Sequence, residues 1–187
     1  MTRTRSTFVA GLLVVVAAGG LATALPATAS AAPTLAVADA AQQATAPLRE
    51  FRTSDNSGTF YTLNAAEADR AGSQFGFRPT DEARGITLYA AAAPGRVEAH
   101  RLRLKTGKVS YLVSTSPTEI RSLTTGDKAA FVDEGVLGYV DARAGAGQMV
   151  LHRYSKNSEW RVARADRADL LKAGFADDGP LGAVPRG

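Results

Sequence analysis

The chain contains no cysteine. Disulfides, thiolate metal sites and a lipid anchor on cysteine are excluded, so an exported domain built from it must be held by its own core. Histidine is nearly absent too: His100 and His152 are the two in the chain. They show no His-x-x-x-His spacing, and a metal site needs three or four converging ligands, so neither metal nor cofactor is expected. There is no Gly-x-Ser-x-Gly turn to present a nucleophilic serine. No glycine-rich phosphate loop exists either, since Gly145-Ala146-Gly147 falls in a connection between segments. Charge of one sign is hardly in excess, with 22 Lys+Arg against 18 Asp+Glu. Setting aside Arg3 and Arg5 leaves 20 against 18, which implies no nucleic-acid surface.

Long apolar runs are missing except at the N-terminus. Met1-Thr2-Arg3-Thr4-Arg5 is positive, Phe8 to Leu21 is apolar, and Pro26 precedes the small residues Ala27-Thr28-Ala29-Ser30-Ala31-Ala32. These are the parts of a signal peptide, with cleavage expected after Ala31 and an alternative after Ala29. The apolar run is shorter than the roughly 20 residues of a spanning helix, and Arg3 and Arg5 are not adjacent as a twin-arginine signal requires. The expectation is a secreted, extracellular protein with no stable membrane insertion after cleavage. Residues 1–31 read as the signal, 32–46 as an Ala-rich flexible arm, and 47–187 as one domain. The C-terminal Gly182 to Gly187 is expected to fray.

What is present is a pattern that recurs. Leu48-Arg49-Glu50-Phe51, Ala99-His100-Arg101-Leu102 and Leu151-His152-Arg153-Tyr154 each begin an extended run. A second apolar run follows each: Phe60-Tyr61-Thr62-Leu63, Tyr111-Leu112-Val113-Ser114 and Trp160-Arg161-Val162-Ala163. Strand, turn, strand is a hairpin signal. Helix starts come next, at Asn64-Ala65-Ala66-Glu67, Ser116-Pro117-Thr118-Glu119 and Asp166-Arg167-Ala168-Asp169. Asn64, Ser116 and Asp166 are read as caps that accept from free backbone N–H groups, with the acidic residue three later completing the box. Pro117 suits the first helical position. Each unit then closes on a glycine before an apolar strand, at Gly85, Gly135 and Gly179, shortly after the acidic pairs Asp81-Glu82, Asp133-Glu134 and Asp177-Asp178. A unit of this size cannot bury its apolar face alone, whereas three packed together can. The expected fold is mainly β with short helices: three repeats in a pseudo-threefold domain, trefoil-like or a small propeller-like ring. The units run about 47–95, 96–147 and 148–187.

These segments resemble a repeat family of unknown function found in secreted bacterial proteins. Its units read approximately Arg-Phe-Tyr-Asn, His-Phe-Tyr-Thr, Ser-Ala-Ala-Glu and Glu-Gly before an apolar strand. Arg153-Tyr154, Phe60-Tyr61-Thr62, Asn64-Ala65-Ala66-Glu67 and Glu134-Gly135-Val136 carry the likeness, over about residues 47 to 184. The family's histidine before Phe-Tyr-Thr would fall at Thr59, Tyr111 and Arg161, and is absent from all three. Its arginine is kept at Arg101 and Arg153 and replaced by Glu50. The resemblance implies an extracellular accessory module and brings no reaction with it.

The two histidines, at equivalent positions beside Arg101 and Arg153, are read as structural or surface residues. The acidic pairs are read as loop caps or solvated turns rather than a glycosidase pair, which needs two carboxyls facing across a sugar bond. Tyr61, Tyr111, Tyr139, Tyr154 and Trp160 lie in expected strands and mostly serve packing. A binding surface, where one exists, is assigned to Tyr111, Trp160 and Arg161, because Tyr and Trp stack on sugars while offering a polar tip. The leading functional expectation is a secreted, monomeric, non-catalytic binding module for extracellular glycan, cell-wall polymer or a surface protein. The rival is an enzyme inhibitor or interaction domain inserting the loop 142–147 or 52–58 into a target. A small hydrolase with an unrecognised site ranks last.

Overall fold

The computed structural model describes residues 43–186. The expected signal segment, its expected cleavage site and most of the stretch read as an Ala-rich arm lie outside the described residues. Among the described residues eleven strands are formed: β1 (Thr45–Pro47), β2 (Arg49–Arg52), β3 (Thr59–Thr62), β4 (Arg78–Pro79), β5 (Thr87–Tyr89), β6 (Arg96–Leu104), β7 (Tyr111–Ser114), β8 (Phe131–Asp141), β9 (Gln148–Lys156), β10 (Glu159–Arg164) and β11 (Ala176–Pro185). Three short helices accompany them: α1 (Ala65–Ser73), α2 (Pro117–Thr124) and α3 (Ala168–Lys172). The fold is mainly β, with an eight-stranded antiparallel half-barrel sheet and a small three-stranded sheet. The large sheet runs β1-β5-β8-β11-β9-β10, with β6 joined to β8 and β7 to β6; the small one runs β3-β2-β4. Three equal sheets are not visible in this pairing, because the first hairpin stands in the small sheet and the other two in the large one.

All three expected hairpins form, as β2–β3, β6–β7 and β9–β10. The third turns on Asn157 and Ser158, both at positive φ, as a two-residue hairpin turn requires. Each hairpin leads into a helix. The Asn64 side chain accepts from the Glu67 N–H, and Ser116 from the Glu119 N–H with Pro117 in the first turn. The third helix departs from expectation. Its cap position is Arg167, with no side-chain cap bond. The Asp166 carboxylate instead faces Arg164 at 3.5 Å, and Arg167 is drawn away to Glu82 and Asp169.

Two boundaries also differ from the sequence reading. Thr45 and Ala46, assigned to the arm, pair with Tyr89 and Leu88 as part of β1. The C-terminal segment does not fray up to residue 186: Val184 is fully buried, Pro185 pairs with Gln148, and Arg186 bridges to Ile86. Pro180 is tolerated in β11 because the register shifts beside it, where the ladder bond it cannot donate is not needed.

The central core joins Leu48 just before β2 with Ala99 and Leu151 from β6 and β9, Tyr61, Val113 and Val162 from the second strands of the hairpins, and Leu88, Val140 and Val184 from β5, β8 and β11. Smaller clusters sit under the helices. Phe51, Phe60, Phe77 and Tyr111 gather with Ala68 and Ala71 of α1. Leu102, Leu112 and Phe131 meet Ile120 and Leu123 of α2, and Tyr154, Ala163 and Phe175 meet Leu170 of α3. Each fully buried side chain of this size contributes roughly 1.5–3 kcal/mol, so the helices are held by packing rather than by their own short length.

Candidate functional site

Consecutive residues on a strand point to opposite faces. On β6, His100 and Arg101 therefore take separate partners. His100 Nδ1 lies 2.9 Å from Asp133 and its Nε2 3.1 Å from Glu98. Arg101 donates to Glu67 of α1 through both terminal nitrogens, to the Tyr61 carbonyl at 2.7 Å, and through Nε to Glu134 at 2.9 Å. The same set recurs on β9. His152 Nδ1 lies 2.8 Å from Asp177, while Arg153 donates to Glu119 of α2, to the Val113 carbonyl and to Asp178. Asp133 and Asp177 also accept from the N–H of Gly135 and Gly179, each at 2.8 Å, where positive φ turns the strand. These two acidic pairs are thus partners of the His-Arg dipeptides, not solvated turns. The pair at Asp81-Glu82 differs, with Asp81 exposed beside Arg84 and Glu82 on Arg167.

The charges are tuned accordingly. Hydrogen bonds from Arg101 and Arg153 hold the carboxyls of Glu67 and Glu119 below their usual range. Burial works against the charged imidazolium of His100, but its bonds to Glu98 and Asp133 win and raise its pKa. Each arginine ties one hairpin to the preceding helix, which is a structural task.

The position equivalent to Arg101 and Arg153 on β2 is Glu50, and it behaves differently. Its side chain is fully enclosed and sits 3.5 Å from Arg161 Nη1. Neither carboxyl oxygen makes a hydrogen bond of good geometry, and nor does the buried Thr80 hydroxyl facing it. Loss of water pushes its pKa up to about 7, against the attraction of Arg161.

The arrangement with the shape of a ligand site lies between α1 and the β6–β7 hairpin. A cavity of about 480 Å³ is lined by Phe60, Phe75, Phe77, Tyr111, Arg70, Arg101, Arg103, Glu67 and Glu134. Its aromatic rings form a chain: Phe75 to Phe77 at 5.8 Å, Phe77 to Phe60 at 5.6 Å, and Phe60 edge-on to Tyr111 at 5.1 Å. Phe75, just beyond α1, is 60% exposed and lines this cavity. Arg101 lies over the Phe60 ring at 4.6 Å with its donors already used. Arg103 gives Glu134 only its Nε among the described residues, which leaves its other nitrogens with donors to spare. The Tyr111 hydroxyl takes no described partner, and burial raises its pKa further with Glu134 nearby. An exposed aromatic face beside fixed donors and acceptors suits a polar molecule with apolar faces.

Of the three residues assigned to a binding surface from the sequence, Tyr111 alone lines this cavity. The structure does not bring the three together. Trp160 is half-buried edge-on against Phe131 at 5.4 Å, in the cluster under α2. Arg161 is held between Glu159 and Glu50. Hairpin register also corrects the alignment of the third unit. Arg103 faces Tyr111 on one hairpin and Ser155 faces Trp160 on the other, while Arg101 faces Val113 and Arg153 faces Val162. Trp160, not Arg161, therefore matches Tyr111 and Thr59. Phe75, Phe77 and Arg103 were missed by sequence reasoning. The available signal was Phe75-Gly76-Phe77, two rings one residue apart directly after a helix.

Residues 46–184 match the profile of a family described as a domain of unknown function (DUF5648). No curated protein and no solved structure matches the chain.

Proposed function

This chain belongs to the DUF5648 family, and from that premise and the geometry above we propose that it is a secreted, monomeric, non-catalytic module that binds extracellular glycan or cell-wall polymer. The observation carrying this reading is the aromatic cavity, where Phe75 stands exposed beside the free donors of Arg103 and the hydroxyl of Tyr111. Sugars offer apolar faces for stacking and hydroxyls for bidentate hydrogen bonds, and this lining matches both.

The same proposal takes the domain as three related units. The equivalent core positions Leu48, Ala99 and Leu151 support it, as do Tyr61, Val113 and Val162. So does the repeated reach of Arg101 and Arg153 to the helix of the unit before. In a three-unit ring the remaining seam would bring residue 50 toward α3, and Glu50 there changes the charge of that contact.

The test is retention of the purified protein on insoluble peptidoglycan, chitin and cellulose, comparing wild type with Phe75→Ala. Phe75 is exposed, so the variant keeps its fold, checked by circular dichroism. Loss of one stacking ring is expected to weaken binding about tenfold, or about 1.4 kcal/mol. Equal retention of wild type and variant on a bound polymer would remove the site. Retention on none would move the reading to a protein partner, tested by deleting the loops 52–58 and 142–147 in turn.

A further inference from the structure

A second cavity, of about 490 Å³, shares no residue with the aromatic one. Its lining comes from four segments: Arg84 and Gly85 before β5, Gln148 to Val150 at the start of β9, Arg164 to Asp166 after β10, and Arg186 after β11. Three arginines, Arg84, Arg164 and Arg186, line it against a single lining carboxylate, Asp166. Their positions are set by the fold. Arg186 is fixed by the bridge to Ile86, and the Ala165 N–H is donated to the Val150 carbonyl at 3.1 Å. The Gln148 side chain is anchored to Asp141, Tyr89 and the Gly145 N–H. Met149, Val150 and Ala165 supply an apolar floor.

These arginines differ from the ones that hold the fold. Arg101 and Arg153 are enclosed and satisfied by two carboxylates each. Among the described residues the side chains of Arg84 and Arg164 make one ion pair each, with Asp81 at 2.9 Å and Asp166 at 3.5 Å, both highly exposed pairs. Such pairs contribute little and are easily exchanged for another anion. Arg186 forms no ion pair with a described residue. An apolar-floored cleft rimmed by guanidinium donors matches the planar fork geometry that carboxylate and phosphate accept.

We infer that this cleft binds the anionic group, carboxylate or phosphate, of an acidic polysaccharide. The polymer in this statement rests on the glycan-binding reading; the anion site rests on the cleft alone. The two sites together would let one chain grip a charged polymer at separate points.

The experiment is calorimetric titration of the purified protein with three soluble oligomers of equal length: oligogalacturonate, oligo(glycerol phosphate) and a neutral oligoglucan. Wild type is compared with the double variant Arg164→Gln/Arg186→Gln and with Phe75→Ala. Both arginines are exposed, so the double variant is expected to fold as wild type. Wild type should bind at least one anionic oligomer more tightly than the neutral one, with affinity falling as salt rises. Oligogalacturonate alone would mark a carboxylate site, oligo(glycerol phosphate) alone a phosphate site, and both a site for either anion. Removing two charged donors should weaken anion binding more than tenfold, while Phe75→Ala leaves it within about twofold. Wild-type affinity in the double variant would overturn the inference, as would equal affinity for the neutral oligomer or no anion binding at all. Loss of anion binding in Phe75→Ala alone would place the anion in the aromatic cavity, overturning this inference and leaving the glycan reading standing.

Discussion

Replacing Glu50 by glutamine is expected to stabilise the fold at neutral and alkaline pH and to change little in mild acid. The Glu50 side chain is fully enclosed, and loss of water raises its pKa from 4.5 to about 7 despite the attraction of Arg161. Between those values the folded chain keeps a proton that the unfolded chain releases. The stability contributed by this site is therefore fully present below about pH 4.5 and lost as pH rises through about 7. At about 1.36 kcal/mol per pH unit the whole loss is roughly 3 kcal/mol, and about 2.5 kcal/mol of it falls between about pH 5 and about pH 8. Glutamine keeps the shape, cannot ionise, and leaves Arg161 paired with Glu159 at 2.7 Å. Urea unfolding followed by fluorescence of Trp160, the single tryptophan, reports the difference, since its ring packs on Phe131. His100 also titrates: its raised pKa gives stability that is present below about 6.5 and lost as pH rises through the raised value. That contribution is common to both proteins and cancels in their difference. A difference that stays flat with pH would refute the reasoning. So would a variant less stable than wild type at alkaline pH, because the Glu50–Arg161 attraction would then exceed the cost of burying the charge.

Two further perturbations separate structural elements. Asn64→Ala and Ser116→Ala should each cost about 1 kcal/mol in urea unfolding, because both side chains cap a helix. Asp166→Ala should stay within about 0.5 kcal/mol of wild type, because Asp166 caps nothing; a cost equal to the other two would restore it as a cap. Arg153→Ala should cost roughly 2–3 kcal/mol by leaving Glu119 and Asp178 without their cation. A double-mutant cycle with Glu119→Ala should show coupling above about 1 kcal/mol, and simple additivity would mean that this contact does not hold the hairpin to α2.

The hairpins, two of the three helix caps and the β-rich class were legible in the sequence because each depends on neighbours in the chain. The Asn64 side chain caps the Glu67 N–H within one turn, although the Glu67 carboxylate goes to Thr62 and Arg101 rather than back to the Asn64 N–H, which Thr62 takes, and an apolar alternation broken by a polar turn makes β9–β10 wherever it stands. Long-range pairing was not legible. Nothing local tells that β8 will join β5, β6 and β11, or that the β2–β3 hairpin will stay in its own small sheet. The third cap failed for a related reason: Asp166 and Arg167 satisfy a local pattern, but Arg167 is claimed by Glu82, which lies 85 residues away in sequence. The frayed C-terminus failed because glycine and proline argue for a loop only where no partner strand is waiting, and here β9 pairs with β11 as far as Pro185.

The site was hidden by a different ambiguity. Arginine, aromatic and acidic residues do two tasks in this chain, and the residue types do not distinguish them. Arg101 and Arg153 are enclosed and saturated, whereas Arg164 and Arg186 stand open at a cleft. Trp160 and Tyr154 pack in clusters, whereas Phe75 is left uncovered. Uncovering a ring forfeits the burial energy that packing would supply, about 2 kcal/mol for phenylalanine. Placing three arginines around one cleft with Asp166 as its single lining carboxylate adds repulsion. Both features work against the fold, and the enclosed ion pairs and the central core outweigh them. A ligand that stacks on the ring or neutralises the cleft would recover those costs on binding. That places the functional expectation on Phe75, Arg103, Arg164 and Arg186 rather than on the residues with the most regular spacing.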